Sequence, residues 1–316
     1  MTPSVPIRDV LVFGGAGVDT TVYVPALPLP YEDTYSVPPV LDRIGNTGAG
    51  VALGCAALGL DVTFADLIGD DPQGALIRHA LRGLDFIWAP ARAGTRRSVL
   101  LVDPDGRRTS LFDPRATPGE RLPSHLYKGV RARHAHVSIT DFCRHVFPDL
   151  DMPVSTDLHD WNGVDDYHED FAYRSDLVFL SAAALADPAA TMAAIIERGR
   201  AHTVVCTRGA DGCLVLTRDA PLRAFPAAPL PGPVADSNGA GDAFVSGFLY
   251  GTLRGLPLEQ RVRLGATAGA HACTVLGTHE SPITEPTLLS RVISQDGVTE
   301  PTPPSRAKEP SPSDTP

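Results

Sequence analysis

Cysteine is sparse and unpatterned in this chain: Cys55, Cys143, Cys206, Cys213 and Cys273 make an odd count with no C-x-x-C pair. That argues against a disulfide framework and fits reduced, mostly buried thiols. Positive charge is also short, with 27 Lys and Arg against 37 Asp and Glu and a net charge of −10. The short doublets Arg96-Arg97 and Arg107-Arg108 form no basic stretch, so no nucleic-acid partner is expected. No apolar run reaches membrane-spanning length, and no basic region followed by an apolar core opens the chain. A cytoplasmic protein without a membrane partner is therefore expected. Internal repeats are missing too. What remains, 316 residues with 43% apolar and 20% charged content, suits one large globular domain or a large and a small one.

Val10–Phe13 is a short apolar run ending in Gly14-Gly15, which reads as a buried strand feeding a tight turn. Residues 18–44 alternate irregularly and read as edge strands of a small separate sheet. Residues 48–60 form a small-residue helix closed by Gly59; Val62–Leu67 reads as a strand and residues 73–83 as a helix. Ser98–Val102 and Thr109–Phe112, joined by Asp103-Pro104-Asp105-Gly106, give a hairpin signal. Beyond residue 130, strand-like segments (134–140, 153–158, 177–180, 203–207, 213–216) alternate with helical ones (188–200, 241–254, 258–276). Such alternation predicts a mostly parallel sheet with helices on both faces. Residues 296–316 are dense in Pro, Ser, Thr and charge, the composition of a disordered tail.

The most informative stretch is Asp236-Ser237-Asn238-Gly239-Ala240-Gly241-Asp242-Ala243-Phe244. Gly239, Ala240 and Gly241 have almost no side chain, so their backbone N–H groups can converge on an anion at a helix N-terminus. Asp242 would repel that anion, which makes sense if it takes a proton from a hydroxyl attacking phosphorus. A Gly-rich loop with an N-capping Asp fits the nine residues alone equally well.

Asp-Ser-Asn-Gly-Ala-Gly-Asp resembles the carboxy-terminal signature D-T-x-G-A-G-D of the ribokinase-like (PfkB) family of sugar and nucleoside kinases, with Ser237 in place of the commoner Thr. The likeness runs over most of residues 7–285 in the expected order. It implies a ribokinase-like α/β fold: a three-layer core with a mostly parallel central sheet flanked by helices, plus a small β-sheet lid. On that layout residues 1–17, 45–94 and 115–295 form the core, 18–44 and 95–114 the lid, and 296–316 the tail.

The resemblance implies an ATP-dependent kinase acting on a sugar, ribose- or ketohexose-like, with Asp242 as general base and Gly239, Ala240 and Gly241 stabilising the transferred phosphoryl group. A free Asp titrates near 4, so Asp242 is expected to be ionised. Asp19, in Gly14-Gly15-Ala16-Gly17-Val18-Asp19, matches the family's substrate-binding Asp, since a carboxylate can accept two hydroxyl hydrogen bonds. Turn closure is the plainer reading of that residue, and the stretch lacks the third glycine of a dinucleotide fingerprint.

Gly45-Asn46-Thr47-Gly48-Ala49-Gly50 resembles the family's G-G-x-x-x-N, with Gly50 where a substrate-binding Asn would stand; Gly17 also replaces an Asn common in ribokinases. The two missing amides imply a wider or differently shaped pocket, with Asn46 either compensating at the substrate or serving a left-handed turn. Thr207-Arg208-Gly209-Ala210-Asp211-Gly212 matches the nucleotide segment T-x-G-x-x-G, making Thr207, Gly209 and Gly212 the expected ATP contacts and Arg208 an added positive charge.

The family's N-x-x-E is replaced by Ser181-Ala182-Ala183-Ala184. Ketohexokinases, similar over Leu177–Ser181, lack that acid too, so Mg2+ is expected to be held by phosphates and water, with no protein metal ligand named. Gly277 and Ser281 fall near the family's adenine pocket and, in some members, a K+ site, with Asp236 nearby. Asp157-Leu158-His159-Asp160 ends a strand where open α/β sheets bind ligands, and Arg97 and Arg108 fall on the lid. His134 and His136 share a strand face without a third ligand, which points to packing. A homodimer through the lid is a further expectation. A nucleoside acceptor and a ligand-binding or regulatory member that has lost turnover are the rival readings.

Overall fold

The structure, a computed structural model, describes residues 6–277 and 279–296. The first apolar run becomes β1 (Ile7–Phe13), followed by β2 (Gly17–Tyr23), β3 (Leu41–Gly45) and the small-residue helix α1 (Thr47–Ala57). Next come β4 (Val62–Ile68), α2 (Pro72–Ala80), β5 (Asp85–Pro90) and the hairpin β6 (Arg97–Val102) and β7 (Arg108–Asp113). Then follow β8 (Arg131–Val137), β9 (Val154–Asp157), α3 (Glu169–Arg174), β10 (Leu177–Ser181), α4 (Pro188–Arg198), β11 (Thr203–Thr207), β12 (Cys213–Thr217) and β13 (Ala220–Phe225). Helices α5 (Ala240–Leu253), α6 (Leu258–Ala272) and α7 (Glu285–Asp296) complete the described chain.

Nine strands form one sheet in the order β13-β12-β11-β10-β9-β8-β1-β4-β5, parallel throughout except for β12 and β13 at one edge. Period-2 alternation sends successive residues of β1 into different cores. Val10 and Val12 pack with α1, α2, α5, α6 and α7; Leu11 and Phe13 pack with α3 and α4. The result is the three-layer α/β fold that the alternation predicted. A second sheet, in the order β3-β2-β6-β7, carries the hairpin, whose turn is held by Asp103 Oδ1 accepting from the N–H groups of Asp105 and Arg107.

Several boundaries differ from the sequence reading. The segment expected at 134–140 ends at Val137, because Ser138 turns its hydroxyl onto the carbonyl of Gly14 instead of continuing the strand. Helix α6 stops at Ala272, and its end is tied to the loop before α5 by the N–H groups of Ala235 and Asp236 bonding to Cys273 O. β13 has almost no buried residue and so gives no burial rhythm. Most of the expected tail lies outside the described residues, with Asp296 closing α7.

Strands β4 and β8 leave β1 on opposite sides, so the sheet order reverses there and opens a crevice at the carboxyl ends of the strands. That crevice is where the site lies.

Candidate active site

Helix α5 starts at Ala240, and its cap, Gly239, has φ 78°, a left-handed conformation natural to glycine. The Ala240 N–H makes only a long 3.4 Å bond to Ser237 O, so the helix N-terminus presents backbone donors to the crevice. Asp242 lies in the first turn, 6% exposed, and lines a cleft of about 1570 Å³ together with Asp19, Asn46, Asp157, Arg108 and Thr207. It is buried against other side chains while still facing open space.

Burial first, then the nearby carboxylates of Asp157 and Asp19, push Asp242 well above the usual carboxylate range; Arg108 opposes them. This corrects the expectation drawn from a free Asp. Without ligand, the carboxyl is held toward its protonated form by its surroundings, and a cation beside it is what favours ionisation.

Asp19 stands on β2 between Arg43 of β3 and Ser98 of β6 in the pairing register. Gly45 makes room for it, since a Cβ there would lie 2.2 Å from the Asp19 carboxylate. Burial raises its pKa, with Ser98 and Arg108 acting the other way. Asn46 adopts φ 70° and ψ 147°, a costly region for a residue with a side chain, and makes no capping bond to α1. Its amide reaches toward Gly17, where a Cβ would meet Nδ2.

The two positions lacking an amide leave a differently shaped cleft, because other side chains take the ground beside them. Asn46 fills the space beside Gly17. At Gly50 a Cβ would fall 2.3 Å from His279 Cε1, so an imidazole occupies that ground. His279 Nε2 lies 3.6 Å from Asp242 Oδ2.

Thr207, Gly209 and Gly212 line the cleft beyond β11. Gly212 has φ 79°, and a Cβ there would strike the carbonyl of Phe225. Arg208, whose charge was a further expectation, donates through Nη2 to Asp211 O at 2.9 Å, inside its own turn. Ser181 and Ala183 also face the cleft, and no carboxylate stands at positions 181–184. Among the described residues no group of three or more His, Cys, Asp or Glu could hold a metal ion. His134 and His136 both meet Ser155 Oγ, at 2.8 and 2.9 Å, which packs them into the sheet.

Sequence reasoning missed Arg96 and His279. On β6 the residues facing the cleft are Ser98 and Leu100, so Arg96 shares their side and Arg97 does not. Arg96 Nη2 donates to Asp66 Oδ1 at 2.5 Å in a buried pair, and Asp66 also accepts from the N–H groups of Ala16 and Leu67. Burial still leaves the Asp66 pKa raised despite Arg96. Arg96 Nε is buried without a hydrogen-bond partner among the described residues. Strand parity could have flagged Arg96; nothing local points to His279. The stretch Asp157–Asp160 does reach the cleft through Asp157, His159 and Asp160, with His159 Nε2 3.1 Å from Thr47 Oγ1.

The model of the pfkB family carbohydrate kinases matches residues 171–285. The acarbose 7(IV)-phosphotransferase of Actinoplanes sp. is 52% identical over 290 residues, covering 89% of this chain and 97% of the relative. A fructokinase of Klebsiella pneumoniae is 29% identical over 270 residues, covering 74% and 86%. Among solved structures, a microbiome-derived acarbose kinase superposes with a TM-score of 0.86 at 44% identity, over 91% of this chain and all of that one. A ribokinase from Thermotoga maritima shares the fold, with a TM-score of 0.77 at 17% identity over 91% of this chain and 100% of that one. With a ribokinase-like fold and a relative of this identity matched over nearly its whole length, the chain belongs to the pfkB family of carbohydrate kinases, phosphotransferases that act on sugar hydroxyls.

Proposed function

We propose that this kinase moves the γ-phosphoryl group of ATP to a primary hydroxyl of a sugar-like acceptor of several units, with Asp242 as the base. The observation that carries the reading is the position of Asp242: it stands in the first turn of α5, beside backbone donors and facing the cleft. As the acceptor oxygen bonds to phosphorus, its proton passes to Asp242 and ADP leaves. The N–H groups at Gly239, Ala240 and Gly241 stabilise charge on the transferred group. Asp19 and Asn46 present an acceptor and amide groups to the alcohol substrate. Thr207, Gly209 and Gly212 form the nucleotide end. Mg2+ neutralises phosphate charge when bound and is held by the nucleotide and water, in keeping with the bare 181–184 segment. A K+ requirement, near Asp236, is part of the same proposal.

The acceptor class rests on two supports. The relative with 52% identity is named for acarbose, and its locant 7(IV) denotes a fourth unit. The cleft, about 1570 Å³, exceeds the ~300–1,000 Å³ usual for one small ligand, leaving room for a nucleotide and a long acceptor. The small sheet acts as a lid over that acceptor, and its exposed edge β7, with Leu111 and Phe112 each more than half exposed, supports pairing of two copies.

The test is a panel of acarbose, ribose, fructose and nucleosides with ATP and Mg2+, read by 31P NMR with and without K+. A new phosphate monoester on acarbose supports the reading. Transfer only to a nucleoside, or to none of them, refutes it.

A further inference from the structure

Outside the motif residues, one side chain is placed against the base by the bare glycine at position 50. His279 is 7% exposed, lines the cleft, and sits with Nε2 3.6 Å from Asp242 Oδ2. It fits there because residue 50 is glycine: a Cβ on Gly50 would lie 2.3 Å from Cε1, 2.7 Å from Nδ1 and 2.8 Å from Nε2 of the ring. The ring and the bare helix position are complementary, and either one with a larger partner would clash.

We propose that His279 is a positioning residue for Asp242, seated in the space left by Gly50 so that its imidazolium keeps the carboxylate ionised and aimed into the cleft. Asp242 faces Asp157 from β9 and Asp19 from β2, both of which disfavour its charge, and Arg108 from β7, which favours it. Beside His279, Arg43 and Glu280 pair with each other at 3.1 Å and largely cancel. His279 is thus a second cation for a carboxylate set among acids. As pH falls, a protonated His279 delays protonation of Asp242; at high pH the imidazole is neutral but Asp242 is ionised without help. The contribution is therefore confined to the acid side.

This inference rests on Asp242 being the base, so the experiment reads Asp242 both with and without turnover. The variants are His279→Gln and His279→Asn, in the full chain. In the first arm, kcat against pH is measured with ATP and whichever acceptor is turned over. The expected result is an acid limb moved up by about one pH unit, with kcat returning close to wild type above it. In the second arm, the Asp242 carboxyl is titrated by 13C NMR in aspartate-labelled protein, assigned by its loss in Asp242→Asn. Its midpoint should rise in both variants even if no acceptor is found. Unchanged midpoints overturn the proposal, as does a loss of kcat that is equal at every pH. A moved NMR midpoint with no transfer to any acceptor would sink the kinase reading and leave the pairing standing.

Discussion

Arg108, at the start of β7 in the smaller sheet, donates through Nη1 to the side-chain oxygen of Asn238, in the loop that leads into the N-terminus of α5. The same guanidinium lowers the pKa of both Asp19 and Asp242. One side chain therefore ties the smaller sheet, the proposed lid, to the loop that leads into α5 and adds positive charge near Asp19 and Asp242. Removing it should loosen lid closure and weaken ionisation of the base together. Arg108→Ala is expected to lower kcat/KM by about 10–100-fold, with the deficit larger below neutral pH than above it. A deficit independent of pH would assign Arg108 to closure alone.

Stability should move opposite to activity at Asp242. In the folded chain its pKa is raised, by burial first and then by Asp157 and Asp19. The folded state therefore binds this proton more readily than the unfolded state does. The stabilisation from that proton is complete below the unfolded value of about 3.9 and is lost as pH rises through the folded value. At neutral pH an ionised Asp242 is thus a cost to folding. Asp242→Asn should raise the thermal midpoint at pH 7 by about 2 °C or more, and the gain should shrink toward pH 4. Calorimetry across that range checks both the sign and the trend.

The buried pair of Arg96 and Asp66 anchors the entry to β6 of the smaller sheet to β4. Arg96→Ala strands a carboxylate that is wholly buried, and a loss of about 3–5 kcal/mol in urea unfolding is expected. Combining it with Asp66→Asn should recover much of that loss, because no uncompensated charge remains. If the double variant is no more stable than Arg96→Ala, packing of the long side chain dominates the pair.

Gly48 in α1 lies hard against the turn after β1: a Cβ there would sit 1.5 Å from Gly14 O. No rotamer change relieves a clash with backbone. Gly48→Ala should cost about 3 kcal/mol or more and should also displace the Gly14-Gly15 turn, which borders the cleft. Loss of acceptor affinity with ATP affinity kept would show that displacement.

The α/β alternation, the hairpin at 98–112 and the Gly-rich entry to α5 were legible because each is a local pattern: a period, a turn dipeptide or a run of small residues. The small-residue helix at 48–60 was legible as one needing close neighbours, and Gly48 shows why. What the sequence could not show was how vacated space is used. Gly17 and Gly50 read as missing amides, but Asn46 and His279 fill the ground beside them, and His279 is more than two hundred residues distant in sequence. The ionisation of Asp242 was misjudged for the same reason, since Asp157 and Asp19 reach it only through the fold. Strand β13 and helix α3 escaped notice because one is nearly all exposed and the other spans only six residues.

The proposed chemistry requires a proton to pass to Asp242 as a sugar oxygen takes the γ-phosphoryl group. Single-turnover transfer from ATP to acarbose should be followed by 31P NMR in wild type and Asp242→Asn, with ATP binding measured in parallel. Transfer should fall by about 10²–10⁴-fold in the variant while ATP affinity stays within a few-fold of wild type. An Asp242→Asn protein that phosphorylates acarbose at the wild-type rate would contradict it.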